Sequence, residues 1–139
     1  MALNNLQKFL LENKQTDTKV IHLTGRLSGQ EFVIRAISMK ENANFNRLAM
    51  VKDRNNKGKS TFDATKYIEF VVTNGLVEPN LKDAEFIQAA GVTDAVGLLN
   101  AIFLPGEVSQ LSDAILEYSG YGDNYEEDLV EEVETFLEG

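Results

Sequence analysis

Two adjacent segments rich in branched residues are the feature that most constrains the fold. They are Lys19-Val-Ile-His-Leu-Thr24 and Glu31-Phe-Val-Ile-Arg-Ala-Ile-Ser38, and Leu27-Ser-Gly-Gln30 lies between them. Alternating branched residues on both sides of a short polar turn predict an antiparallel β-hairpin. A two-stranded hairpin is only marginally stable by itself in water. The hairpin must therefore be covered by a helix or paired with another strand, from this chain or from a second copy.

Helical spacing of apolar residues dominates the remaining sequence. The pattern predicts helices over 3–12, 38 to about 51, 63–75, 83–91, 95–103 and around 108–116. The capping box of Ser38 and Glu41 begins the second of these helices, Asp63 and Asp83 begin the next two, and Thr93 caps the helix over 95–103. Residues 52–61 are predicted to be a polar loop, and residues 77–80 an extended turn. With 139 residues, 43% of them hydrophobic, and no Cys, the chain is predicted to form one mainly helical α+β domain.

Charge is unevenly distributed along the chain. Residues 1–82 contain all 13 Lys and Arg with eight acids, whereas residues 83–139 contain 14 acids and neither Lys nor Arg. The second part therefore repels phosphate backbones and anionic lipids, which argues against nucleic-acid and membrane partners. The first residues have neither a basic lead nor a long apolar stretch, so we expect the protein in the cytoplasm.

Two apolar segments are candidate partner-binding surfaces. Residues 123–139 are predicted to form a mobile, acidic, amphipathic C-terminal helix separate from a domain over 1–122, and its stripe includes Leu129, Val133, Phe136 and Leu137. That stripe either docks on the domain or binds a partner. The segment 96–104 is apolar almost all round, so it is first a core helix and second a partner surface. In the second case the contacts are Leu99, Ile102 and Phe103.

No catalytic, cofactor or metal site is predicted. Gly58-Lys59-Ser60 resembles the end of a phosphate-binding loop, but Asp53 occupies the position of the required first glycine. A calcium loop over the same residues would need oxygen ligands where Lys57 and Ala64 lie. His22 is the only histidine and has no carboxylate at a ligand-like spacing, so the sequence favours a protein that is not an enzyme.

Several segments of the chain form a pattern when they are taken in order. They are Phe9-Leu-Leu-Glu-Asn13, Phe32-Val-Ile-Arg-Ala-Ile-Ser38 with Glu41, Val77-Glu-Pro-Asn-Leu-Lys-Asp-Ala-Glu85, Leu98-Leu99, Leu104-Pro-Gly-Glu107 and Leu116-Glu-Tyr-Ser-Gly-Tyr121 before an acidic end. Together these segments resemble the XkdN-like tail assembly chaperones of phages and prophages. Order and spacing carry this resemblance, which spans nearly the whole chain.

The resemblance implies a chaperone that binds the tape measure protein and keeps it soluble until the tail tube polymerises, with the tail tube protein as a second candidate partner. It implies residence in the bacterial host cytoplasm and absence from the mature virion. Two other interpretations stay open: a structural tail-completion or connector protein of the virion, and an acidic nucleic-acid mimic that inhibits a basic host enzyme. An unpaired hairpin edge would also permit a homo-oligomer.

Overall fold

The computed structural model describes residues 2–12, 18–52, 55 and 58–121. In chain order the elements are α1 (Asn5–Glu12), β1 (Thr18–Ile21), β2 (Phe32–Arg35), α2 (Met39–Leu48), β3 (Met50–Lys52), β4 (Ser60–Phe62), α3 (Ala64–Gly75), β5 (Leu76–Glu78), α4 (Ala84–Ala89), α5 (Ala95–Ile102) and α6 (Pro105–Tyr118). The predicted α+β class, mainly helical with an early hairpin, is confirmed. The predicted C-terminal helix over 123–139 lies outside the described residues.

The predicted hairpin is confirmed, and it is stabilised by a third strand from the same chain. β1 pairs antiparallel with β2, and β5 pairs antiparallel with the other edge of β2. A 3₁₀ turn over Gly25–Leu27 lies between β1 and β2. Because β2 is central, its residues Phe32 and Ile34 alternate toward the core and are buried, while Val33 and Arg35 are half-buried on the opposite face.

Helix α3 is central to the core and packs on α2, α5 and α6. Its register is fixed by Asp63, whose side chain accepts a hydrogen bond from the Lys66 backbone amide. α6 also contacts β2, which closes the core between the helices and the three-stranded sheet. The fully buried side chains include Ile34, Tyr67, Val71, Val72, Leu81, Leu98, Leu99, Leu111, Ile115 and Leu116.

Four predicted boundaries are wrong. The helix that begins with the Ser38–Glu41 capping box ends at Leu48, because Met50–Lys52 forms β3 and pairs with β4 across the polar loop. The turn predicted at 77–80 begins as strand β5. Asp94, not Thr93, caps α5, since its Oδ1 accepts from the Gly97 amide at 2.7 Å. The predicted helix around 108–116 is longer and begins at Pro105.

Candidate partner-binding surfaces

Helix α1 presents an apolar surface to solvent. Every described residue from Ala2 to Glu12 is exposed. The apolar side chains retain roughly half of their accessible surface, with Leu3 at 45%, Leu6 at 65%, Phe9 at 60%, Leu10 at 58% and Leu11 at 53%. Apolar residues concentrated to this degree on one exposed helix are typical of an interaction surface.

The start of α1 is defined by a reciprocal pair of polar contacts. The Gln7 amide donates to Asn4 Oδ1 at 2.7 Å, and the Asn4 amide donates to Gln7 Oε1 at 2.9 Å. These bonds satisfy amides that the first helical turn leaves without partners. An eight-residue helix is nevertheless marginal in water unless its apolar face packs on something, so α1 requires a covering surface.

The second candidate surface lies at the corner between α5 and α6. Leu99 has no accessible surface and belongs to the core, so a partner cannot reach it in this conformation. Ile102 and Phe103 are half-buried and pack against the core, and the ring centroids of Phe103 and Phe32 are 6.1 Å apart. Leu104, at 56% exposure, is the accessible apolar residue of this corner. The structure thus separates Leu99 from the two residues predicted to act with it.

An ion pair fixes this corner to the turn between β1 and β2. Arg26 donates from Nε to Glu107 Oε2 at 2.8 Å and from Nη2 to Glu107 Oε1 at 2.7 Å. Arg26 Nη2 also donates to the Ile102 carbonyl at 2.7 Å, and Glu107 Oε1 accepts from the Leu104 amide at 2.8 Å. These bonds therefore connect the corner to a turn that lies 81 positions earlier in the sequence.

Each member of this ion pair favours the charged form of the other. Hydrogen bonds from Arg26 lower the pKa of the Glu107 carboxyl, and the hydrogen bond from the Leu104 amide adds to this effect against the opposing influence of burial. The hydrogen bond to Glu107 in turn raises the pKa of the Arg26 guanidinium. The pair is ionised wherever the protein is folded near neutral pH, and its role is to position the corner.

The remaining predicted contacts, Leu129, Val133, Phe136 and Leu137, lie outside the described residues. His22 is exposed immediately after β1. Within the described ranges, no group of three or more His, Asp or Glu is arranged to hold a metal ion. Over the same part of the chain, no helix is long and apolar enough to cross a membrane.

Interpretation of the sequence missed two features of the structure. It identified an amphipathic helix over 3–12 but did not place α1 among the candidate contacts, although its closely spaced Leu and Phe residues were a usable signal. It also missed a polar network in which Asn42 Nδ2 donates to the Tyr121 hydroxyl at 3.0 Å and the Tyr67 hydroxyl donates to Asn42 Oδ1. No local pattern marks that network, because its members come from α2, α3 and the chain after α6.

These features define a small α+β domain. Among its described residues, the segment that contains α1 exposes five large apolar side chains, and the corner between α5 and α6 exposes Leu104. Residues 6–134 match the family model of the phage XkdN-like tail assembly chaperone proteins. The chain belongs to this family, as the resemblance in its sequence predicted. It is therefore a phage tail assembly chaperone, and its partners are phage tail proteins.

A solved structure shares the fold. The crystal structure of the protein YqbN is similar with a TM-score of 0.59 at 15% sequence identity, and the similarity covers 87% of this chain and 100% of that one. At this identity the likeness concerns the arrangement of helices and strands. No curated protein sequence matches the chain.

Proposed function

We propose that this protein binds the tape measure protein of its phage and keeps it soluble until the tail tube polymerises around it. The protein acts without catalysing a reaction, in the cytoplasm of the bacterial host, and is absent from the mature virion. The observation that carries the proposal is the family match over residues 6–134. Exposed apolar residues on α1 and at Leu104 support a role in holding another protein.

The stripe of Leu129, Val133, Phe136 and Leu137 is the proposed client contact. In a helix, these side chains occupy one face and the neighbouring acids occupy the rest. An apolar face holds a helical client segment in the manner of a helix in a groove, while the acids keep the complex hydrated and mutually repulsive. Ile102 and Phe103 stay secondary candidates, because the corner beside them exposes Leu104.

Co-expression with the tape measure protein tests the proposal. The soluble fraction of the tape measure protein should rise several-fold when this chain is present, and the two should co-purify. A matched control is an unrelated acidic domain of similar size, which should leave the client in the pellet. A client that aggregates equally with and without this chain would refute the proposed function.

Mass spectrometry of purified particles distinguishes the proposal from its main alternative. A chaperone should be missing from finished tails, whereas a tail-completion or connector protein should be present in stoichiometric amounts. The same purified particles provide the positive control, since the tail tube protein must be detected in them.

A further inference from the structure

The apolar residues of α1 recur at the same spacing near the end of the sequence. Leu3, Leu6, Phe9 and Leu10 correspond, after a shift of 127 positions, to Val130, Val133, Phe136 and Leu137. Within each set the first, second and fourth members follow the three-then-four spacing of a heptad seam, by which one helix packs along another. The two segments can therefore pack along each other, since each has a short apolar seam and each is too short to form a stable helix by itself.

The links from these two segments to the domain begin side by side. α1 is connected through residues 13–17 to β1, and the acidic segment is connected through residues 122–125 to the chain after α6. Lys19 of β1 places Nζ 5.9 Å from the ring centroid of Tyr118, the last residue of α6. Ser119 Oγ accepts from the Ile37 amide at 2.8 Å, just beyond β2 and therefore near the start of its partner β1.

Linker length therefore permits the two seams to meet within one molecule. A linker of four or five residues spans up to roughly 13–18 Å, so both segments can extend to the same region. Tethering at adjacent points gives an effective concentration on the order of millimolar, which favours pairing in cis over pairing between molecules.

Charge favours the same pairing. Residues 126–138 contain seven acids and neither Lys nor Arg, whereas residues 2–19 contain three Lys and two acids. A second copy of the acidic segment would be repelled by its own charge, but the slightly basic segment that contains α1 would attract it. The occupant that best fits the exposed face of α1 is therefore residues 126–138 of the same chain.

We infer that, in the chain without its client, residues 126–138 form a helix whose seam of Val130, Val133 and Leu137 packs against the Leu6 and Leu10 side of α1. This pairing buries both seams and leaves the acids outward. The pairing belongs to the free chain and does not depend on the client's identity. Its consequence, that the client must displace α1 to reach the stripe, rests on the proposed function.

Engineered cysteines test the pairing, because the natural chain has no Cys. Leu6 and Val133 are the central members of the two seams, so they approach each other whether the helices run parallel or antiparallel. In the L6C/V133C variant, mild oxidation should give an intramolecular disulfide in most molecules, since paired seams bring the Cβ atoms near the ~4 Å that a disulfide requires. Intact mass and non-reducing gels of the full chain, without any client, measure the yield.

The matched control is K8C/V133C, since Lys8 lies about 200° around α1 from Leu6. Its intramolecular yield should be lower by about fivefold or more at equal oxidation time, and the yield of L6C/V133C should stay the same at tenfold higher protein concentration. Equal yields in the two variants, free thiols in both, or disulfide-linked dimers whose yield increases with concentration would overturn the inference. The dimers would instead identify a second copy as the occupant. Failure of client binding in co-expression would leave this result unaffected.

Discussion

Gly75 illustrates how a single small residue permits the central helices to approach. A Cβ atom at this position would lie 2.6 Å from Ile115 Cγ2 and 2.9 Å from Ile115 Cδ1, and Ile115 is fully buried in α6. Both distances are shorter than real carbon contacts, so an alanine at this position would force either the buried Ile115 side chain or the helices themselves to shift.

The Gly75→Ala substitution should lower the free energy of unfolding by about 1–3 kcal/mol, the usual cost of overpacking a filled core. Urea denaturation monitored by circular dichroism measures this change. Gly106→Ala is the matched control, because nothing lies within 4 Å of a Cβ atom at Gly106, in the first turn of α6. It should leave stability unchanged or raise it by about 0.4–1 kcal/mol. Equal effects of the two substitutions would contradict the close packing at Gly75.

Glu41 stabilises the start of α2 through its charge. Its carboxylate accepts from Arg35 Nη1 at 2.8 Å and from Arg35 Nη2 at 2.6 Å, and its Oε1 accepts from the Ser38 amide at 3.1 Å. The hydrogen bonds from Arg35 are the main cause that lowers the pKa of Glu41 from 4.5 to about 2. A carboxyl whose pKa falls on folding adds stability above its unfolded pKa of 4.5, and that stability is lost as the pH falls toward 2.

The Glu41→Gln substitution should therefore destabilise the protein by about 1–2 kcal/mol at pH 7, after allowance for the exposure of the ion pair to solvent. The difference from the natural protein should shrink steadily between pH 4.5 and pH 2. Denaturant titrations across that range measure it, with Glu31→Gln as a control that removes one exposed carboxylate. A difference that is the same at pH 7 and pH 2.5 would show that the charge of Glu41 does not stabilise the fold.

Helices and strands that are set by local sequence signals could be predicted from the sequence. The capping box of Ser38 and Glu41, the Asp63 cap and the alternating residues of β1 and β2 each fix structure within a few residues, and the structure contains all of them. β5 was missed because it has only three residues before Pro79 and forms through pairing with β2, about 40 residues earlier.

The candidate contacts were less predictable because exposure depends on tertiary packing. Leu99 and Leu6 both belong to amphipathic or apolar helical patterns, yet Leu99 is fully buried and Leu6 is 65% exposed. The difference arises because α5 packs against α3, whereas every described residue of α1 is exposed. A helical pattern identifies which side chains share a face, but not whether the domain covers that face.

Substitutions in α1 should distinguish whether α1 covers the client-binding stripe or binds the client itself. If α1 covers the client-binding stripe about 90% of the time, releasing it should tighten client binding by about tenfold. The double variant L6D/L10D should therefore capture more tape measure protein than the natural chain, while N5Q, which leaves both the apolar side and the charge of α1 unchanged, should match the natural chain. Titration of the client against each variant measures the affinity. Weaker binding by L6D/L10D would place the client on α1 and contradict displacement.

At the scale of the whole molecule, net charge and packing are separated along the chain. Residues 1–121 contain 13 basic and 14 acidic residues, so this part is nearly neutral, and residues 122–139 carry eight acids with no Lys or Arg. Almost the entire net charge of −9 therefore belongs to a segment that is 18 residues long. In the proposed function this segment combines the apolar stripe for the client with the charge that keeps the complex soluble.

Light scattering during dilution of denatured tape measure protein directly measures whether this protein prevents its client from aggregating. Diluted into buffer alone, the client should aggregate, and increasing amounts of this protein should suppress the scattering to a plateau at a defined stoichiometry. A variant lacking residues 123–139 should suppress it much less, although its domain should stay folded by circular dichroism. Scattering that is unchanged by the unmodified protein at any ratio would show that the protein does not keep its client soluble.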